Sequence, residues 1–157
     1  MAYVAPKTVL NTFLAKVRAW PGEPLKSCVF RKGPQKALTL GASEDCACII
    51  ALNSLLGGEE SAGSANNFYH SWQFAVALLV RDDEADPEAA EDLRLDLIEQ
   101  FGQFMADIET RSMFGGAKRG RITECQLGYG QYFEDSDVIY RYAELGIEYR
   151  TLRSGTN

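Results

Sequence analysis

The chain has 157 residues, 46% of them hydrophobic and 24% charged, with 22 acidic residues against 16 basic ones and a single histidine. That is the size and make-up of one folded domain spanning residues 1–157, and it is too apolar for a disordered chain. The net charge of −6 argues against binding nucleic acid by general phosphate neutralisation.

The start, Met1-Ala-Tyr-Val-Ala-Pro-Lys7, lacks the basic-then-apolar build of a signal peptide. The longest apolar runs, Cys46–Leu52 and Phe74–Val80, fall well short of the roughly 20 residues of a membrane span. A soluble protein with no membrane partner is expected.

Residues 7–20 form the first expected helix, with Val9, Leu10, Phe13, Leu14, Val17 and Trp20 at three- and four-residue spacing. Pro21-Gly22 ends it. Residues 25–31 and 45–52 are expected strands, the second buried on both faces. The stretch 53–67 is rich in glycine, serine, asparagine and alanine and keeps no apolar period. It reads either as a functional, mobile loop or as a loose hairpin tip.

Residues 68–81 alternate strictly, with Phe68, Trp72, Phe74, Val76, Leu78 and Val80 on one face. They predict a strand roughly 40 Å long, followed by the acidic turn Arg81-Asp82-Asp83-Glu84. Asp86 and Pro87 open a helix over about 87–109, whose stripe of Ala90, Leu93, Leu97, Ile98, Phe101, Phe104, Met105 and Ile108 suits packing across a sheet. Arg111–Gly120 reads as a second loop and holds the most basic spot. Residues 121–133 and 138–152 then predict an antiparallel pair. The apolar phase shifts from Val138, Tyr140 and Tyr142 to Leu145, Ile147 and Tyr149, and a β-bulge near Ala143-Glu144 is the expected cause. The fold class is therefore α+β: a mostly antiparallel twisted sheet of about five strands, an N-terminal helix and one long helix across a face.

Catalytic constellations each lack a part. A nucleophilic triad would have to use His70, which sits mid-strand among aromatics. With one histidine and no CxxC spacing, zinc sites are absent too, and no metal or cofactor is expected. Carboxylates at 82–86 and 134–137 sit at turns, where charge is ordinary turn chemistry. Cys28, Cys46, Cys48 and Cys125 are either buried thiols or disulfide partners within or between chains. On one strand, Cys46 and Cys48 are poorly placed to bond each other.

Charge is polarised along the chain. Nine acidic residues lie between Asp82 and Glu99, while basic residues concentrate at 16–36 and 111–121. This is either a solvated helix face beside ordinary surface lysines or the opposed patches of a head-to-tail ring. In the second case Asp82, Asp83 and Glu84 would face Lys32 and Lys36 of a neighbour.

The element order, the opening helix Pro6–Trp20, the long strand Phe68–Arg81 running into an acidic turn, the capped helix 87–109 and the ending Val138–Arg150 resemble the tail terminator or tail-completion proteins of tailed bacteriophages. The likeness is one of pattern over nearly the whole chain. It implies a non-enzymatic virion protein, made in the host cytoplasm, that forms a homo-oligomeric ring, commonly hexameric. Such a ring caps the tail tube, ends its growth and joins it to the head or neck. Implied partners are further copies, the tail tube protein and a neck or head-completion protein, with DNA passing an acidic bore without specific binding. The resemblance further implies a tube-docking loop, first Leu55, Leu56, Gly57, Gly58, Glu59 and Glu60, and second Met113, Phe114, Lys118, Arg119 and Arg121. Two other readings stay open. One is a head-completion or neck connector binding the portal side. The other is a small ligand-binding or enzymatic α+β domain using His70, Asp82 and Asp83.

Overall fold

A computed structural model describes the backbone over residues 5–61, 67–83, 85–107 and 117–154, and side chains within 5–53, 71–83, 85–107 and 120–149. The elements in chain order are α1 (Pro6–Arg18), a single 3₁₀ turn (Leu25–Ser27), β1 (Val29–Lys32), β2 (Cys46–Ser61), β3 (Asn67–Arg81), α2 (Pro87–Ala106), β4 (Ala117–Gln131) and β5 (Ile139–Ser154). The strands form one sheet in the order β1-β2-β3-β5-β4. Among the described strands β1 and β2 run parallel and the other pairings are antiparallel. The α+β class with an N-terminal helix and a longer second helix is what the chain adopts. Among the described residues, no helix is long and apolar enough to cross a membrane.

Both helices lie on one face of the sheet. Helix α1 starts at Pro6, whose fixed φ suits a first helical turn, and it buries Val9, Phe13, Leu14 and Val17. Asp86 caps α2 by accepting a hydrogen bond from Ala89 N at 3.1 Å. The apolar stripe of α2 then packs over the even-numbered residues of β2 and β3 and the odd-numbered residues of β5. Phe13 stacks on Phe74 with ring centroids 4.4 Å apart, and Phe101, Phe104 and Tyr149 meet it edge-on. The other face carries a smaller core of Ala47, Ile49, Ala77, Leu79 and Tyr140, covered by Leu38 and Phe133.

That second core corrects the expected bulge at Ala143-Glu144. The β5 register runs unbroken against β3 from Ser154 to Tyr140. The apolar phase changes because Tyr140 serves the second face while Ala143, Leu145, Ile147 and Tyr149 serve the helix face. A strand buried on opposite faces at its two ends needs no extra residue to look phase-shifted.

Three further boundaries differ from the sequence reading. Residues 53–61 are not a loop: β2 runs through Ser61, held by backbone pairing to the strongly patterned β3. The irregular composition is absorbed in register shifts at Leu52/Ser54 and Gly57/Ser61. Likewise Ala117–Gly120 belong to β4, paired to β5. The first strand is shorter than expected because Leu25–Ser27 close a 3₁₀ turn, with Cys28 N bonded to Leu25 O at 3.1 Å. The expected helical residues 108–109 lie outside the described residues.

Candidate assembly surfaces

The acidic and basic residues singled out in the sequence have unequal fates. Asp82 is spent inside the chain. Its carboxylate accepts from Arg141 Nε at 2.9 Å and from Tyr129 Oη at 3.1 Å, and its side chain is only 8% exposed. Arg141 lies over the Tyr129 ring, 4.9 Å from its centroid, and also donates to Glu91 Oε2 at 3.2 Å. Glu91 in turn pairs with Arg94, which reaches the Gly128 carbonyl of β4 at 3.0 Å. The Arg94 hydrogen bond, and then Arg141, hold the Glu91 carboxyl below the usual range. The Arg94 Nε is buried without a hydrogen-bond partner. This network ties α2, β4 and β5 to the turn after β3.

Asp83 is exposed and accepts from Ala85 N at 2.9 Å. Glu84 lies outside the described residues. Lys32 is exposed, with its ammonium on Asn11 Oδ1 at 3.0 Å, and Lys36 is exposed. Arg121 pairs with Glu148 at 3.0 Å, and Ser71 donates to the other Glu148 oxygen at 3.2 Å. Met113 and Phe114 lie outside the described residues, as do the side chains of Leu55–Glu60, Lys118 and Arg119.

The trio His70, Asp82 and Asp83 does not come together. His70 pairs with Gly57 twelve residues back along an almost fully extended β3, which separates it from Asp82 by roughly 40 Å. An open trough of about 480 Å³ lies on the second face, floored by Ala51, Ala75 and Gly146 beside Glu124 and Glu144. Burial pushes the phenol of Tyr132 in its wall up to about 12. Among the described residues, no group of three or more His, Cys, Asp and Glu side chains is placed to hold a metal ion.

The two edges of the sheet differ more than the sequence suggested. At one edge, β4 is fifteen residues long and, among the described strands, pairs with β5 alone. Its register places Ile122, Cys125, Leu127 and Tyr129 opposite Ile147, Leu145, Ala143 and Arg141, on the helix side of the sheet. The β5 partners are mostly core, but Leu127 is 54% and Tyr129 60% exposed. Leu95 stands one helical turn beyond Glu91, on the flank of α2 that reaches Arg141, and is 47% exposed. Above this apolar strip, Glu88, Asp92, Asp96 and Glu99 line the exposed side of α2.

The opposite edge is short and basic. Strand β1 has four residues, and among the described residues no strand pairs with this side of β2 beyond Ile50. Arg18, Lys26, Arg31, Lys32 and Lys36 are exposed around it. Sequence reasoning missed the apolar strip on β4, although the alternation Ile122, Cys125, Leu127, Tyr129 contains it, because alternation alone does not say whether a strand's apolar face is covered. It missed Arg141 as well; a lone arginine between two tyrosines of a strand was the available signal.

These elements define an α+β protein with two helices on one face of a five-stranded mixed sheet whose outer strands among the described residues, β1 and β4, are unlike. No protein-family model matches the chain, and no curated protein matches its sequence. Among solved structures it is similar to the sheath/tube terminator, in the extended state, of PVC, an extracellular contractile injection system studied by cryo-EM. The likeness has 11% identity and a TM-score of 0.45, and covers 94% of this chain and 57% of that one. The chain thus spans a little over half the length of that terminator.

Proposed function

We propose that this chain is a non-enzymatic structural subunit that joins copies of itself head to tail in a closed ring, and that the ring caps a phage-type tail tube and joins it to the neck. The observation that carries the assembly is the pair of unlike sheet edges. A long exposed edge strand bearing apolar side chains invites pairing with another chain. Strand β4 runs opposite to β1 and β2, so docking β4 on the β1–β2 edge of a second copy gives an antiparallel pair. The same step brings the acidic ridge of α2 toward the basic margin around Arg31, Lys32 and Lys36. Such an interface is heterologous and closes into a ring when its rotation divides a full turn. Complementary charge supports the register and weakens with salt.

The tail role rests on the pattern resemblance of the elements. Six subunits, a tube protein on one side, a neck protein on the other and DNA sliding through the bore complete the reading. Within it, Leu55–Glu60 at the far end of β2 are the first tube contact, and Met113, Phe114, Lys118, Arg119 and Arg121 the second. Asp82 takes no part between subunits, because Arg141 of its own chain holds it.

The assembly is tested by mixing two variants, each damaged at one edge. Leu127→Asp disables β4, and Arg31→Glu with Lys32→Glu disables the β1 edge. Each variant alone should be a folded monomer by light scattering and circular dichroism. A mixture should form a one-to-one dimer through the remaining good pair of edges. A wild-type chain that stays monomeric at all concentrations, with or without tube protein, overturns the ring. Replacing Gly57–Glu60 should weaken binding to assembled tube protein while leaving the ring intact; unchanged binding removes that end of β2 from the tube contact.

A further inference from the structure

We infer that Cys28 and Cys46 form an intramolecular disulfide that staples the β1 edge to the sheet. The bond forms within one chain, with or without a ring. Val29 of β1 is in register with Ala47 of β2, so Cys28 and Cys46, each one residue earlier, are the next neighbours across the same parallel pair. Adjacent strands lie about 4.8 Å apart, within the Cα separation of roughly 4.4–6.8 Å that a disulfide needs. The side chains confirm this placement: the two Sγ atoms are 3.2 Å apart and both are buried in the helix-side core.

No other described cysteine competes. Cys48 is two residues along β2 from Cys46, and its register partner is Phe30. Cys125 is exposed on β4, at the far edge of the sheet.

Both thiols are free in the structure, and the Cys28 S–H donates to Cys46. That bond holds the Cys46 thiol below its ordinary value, making Cys46 the attacking sulfur. The oxidant is a small disulfide such as oxidised glutathione, which enters as the four-residue β1 opens locally. The Cys46 thiolate attacks one glutathione sulfur, that S–S bond breaks, and a glutathione thiolate leaves. Cys28 then loses its proton and attacks Cys46 Sγ, releasing the second glutathione. Two cysteine thiols are oxidised, one glutathione disulfide is reduced to two thiols, and the two protons end on the glutathiones.

The bond closes the segment between the start of β1 and the start of β2. This segment carries Lys32 and Lys36 and lays Leu38 on the second core. Denied its open conformations, the unfolded chain loses entropy and the native edge gains stability.

The test uses the wild-type chain in buffers of graded reduced-to-oxidised glutathione ratio, with thiol titration, peptide mass mapping and thermal melting. Oxidising buffers should remove two of the four thiols, yield one peptide joining residues 28 and 46, and raise Tm by about 5–10 °C. Reductant should reverse all three changes. Cys125→Ser should leave them in place. Four free thiols at every ratio, a bond mapped to any other pair, or a bond without a rise in Tm overturns the inference. The wild-type readouts stand even if Cys46→Ser fails to fold.

Discussion

Arg141 of β5 donates to Asp82 of the turn after β3 over 2.9 Å, and both side chains are largely withdrawn from water. This pair turns a stretch of surface acid into an internal strut. Asp82→Ala leaves Arg141 with Glu91 as its one carboxylate partner among the described residues and removes the acceptor of the Tyr129 hydroxyl. Breaking a partly buried pair by deleting one partner is costly. We expect Tm to fall by about 5 °C with the oligomeric state unchanged. Calorimetry and size-exclusion chromatography check both; a change in oligomeric state with an unaltered Tm would put Asp82 between subunits instead.

The Glu91 carboxyl, lowered first by Arg94, links stability to acid. The native value lies below the unfolded one, so the contribution is fully present above about 4.5 and is lost as pH falls through the native value. Glu91→Gln should cost about 1–2 kcal/mol at neutral pH, allowing for the third of the side chain open to water. The difference from wild type should shrink below pH 4. Urea denaturation at a series of pH values measures it, and a constant difference across the range would refute the linkage.

Gly128 is a packing requirement of β4. A Cβ there would collide with the ring of Tyr142. Gly128→Ala should destabilise by about 1–3 kcal/mol. In a Tyr142→Ala background the same change should cost much less, because the colliding ring is gone. A double-mutant cycle by chemical denaturation reads the coupling, and additive effects would show that the strand simply shifts.

Phe13 joins α1 to the sheet and to α2 through four aromatic contacts. Phe13→Ala should cost about 3–5 kcal/mol, the range for emptying a buried aromatic site. A loss under 1 kcal/mol, measured by urea denaturation, would mean that the two helices pack independently.

Much of the fold was legible because it is written in local periods. The alternation of Phe68–Val80 and the stripe of Ala90–Met105 identify their elements without reference to anything distant. Asp86-Pro87 announced its helix start for the same reason. The stretch Asn53–Ser61 misled because a strand held by a strong partner needs no pattern of its own; its backbone pairs with β3 whatever its side chains are. The phase change near Ala143 misled because one strand serving two cores looks like one strand with an insertion.

By itself the sequence determined the element types and the apolar face of each helix, since these follow from bonds and contacts within a few residues. It also determined the uneven charge along the chain. Only the tertiary structure decided which charges remain available and which strands are edges. Asp82 met Arg141 across 59 positions of chain, and β5 inserted between β3 and β4, leaving Leu127 and Tyr129 on an open margin. Strand order is set by the joint fit of all the faces in one core, a property of the whole sheet that no single segment contains.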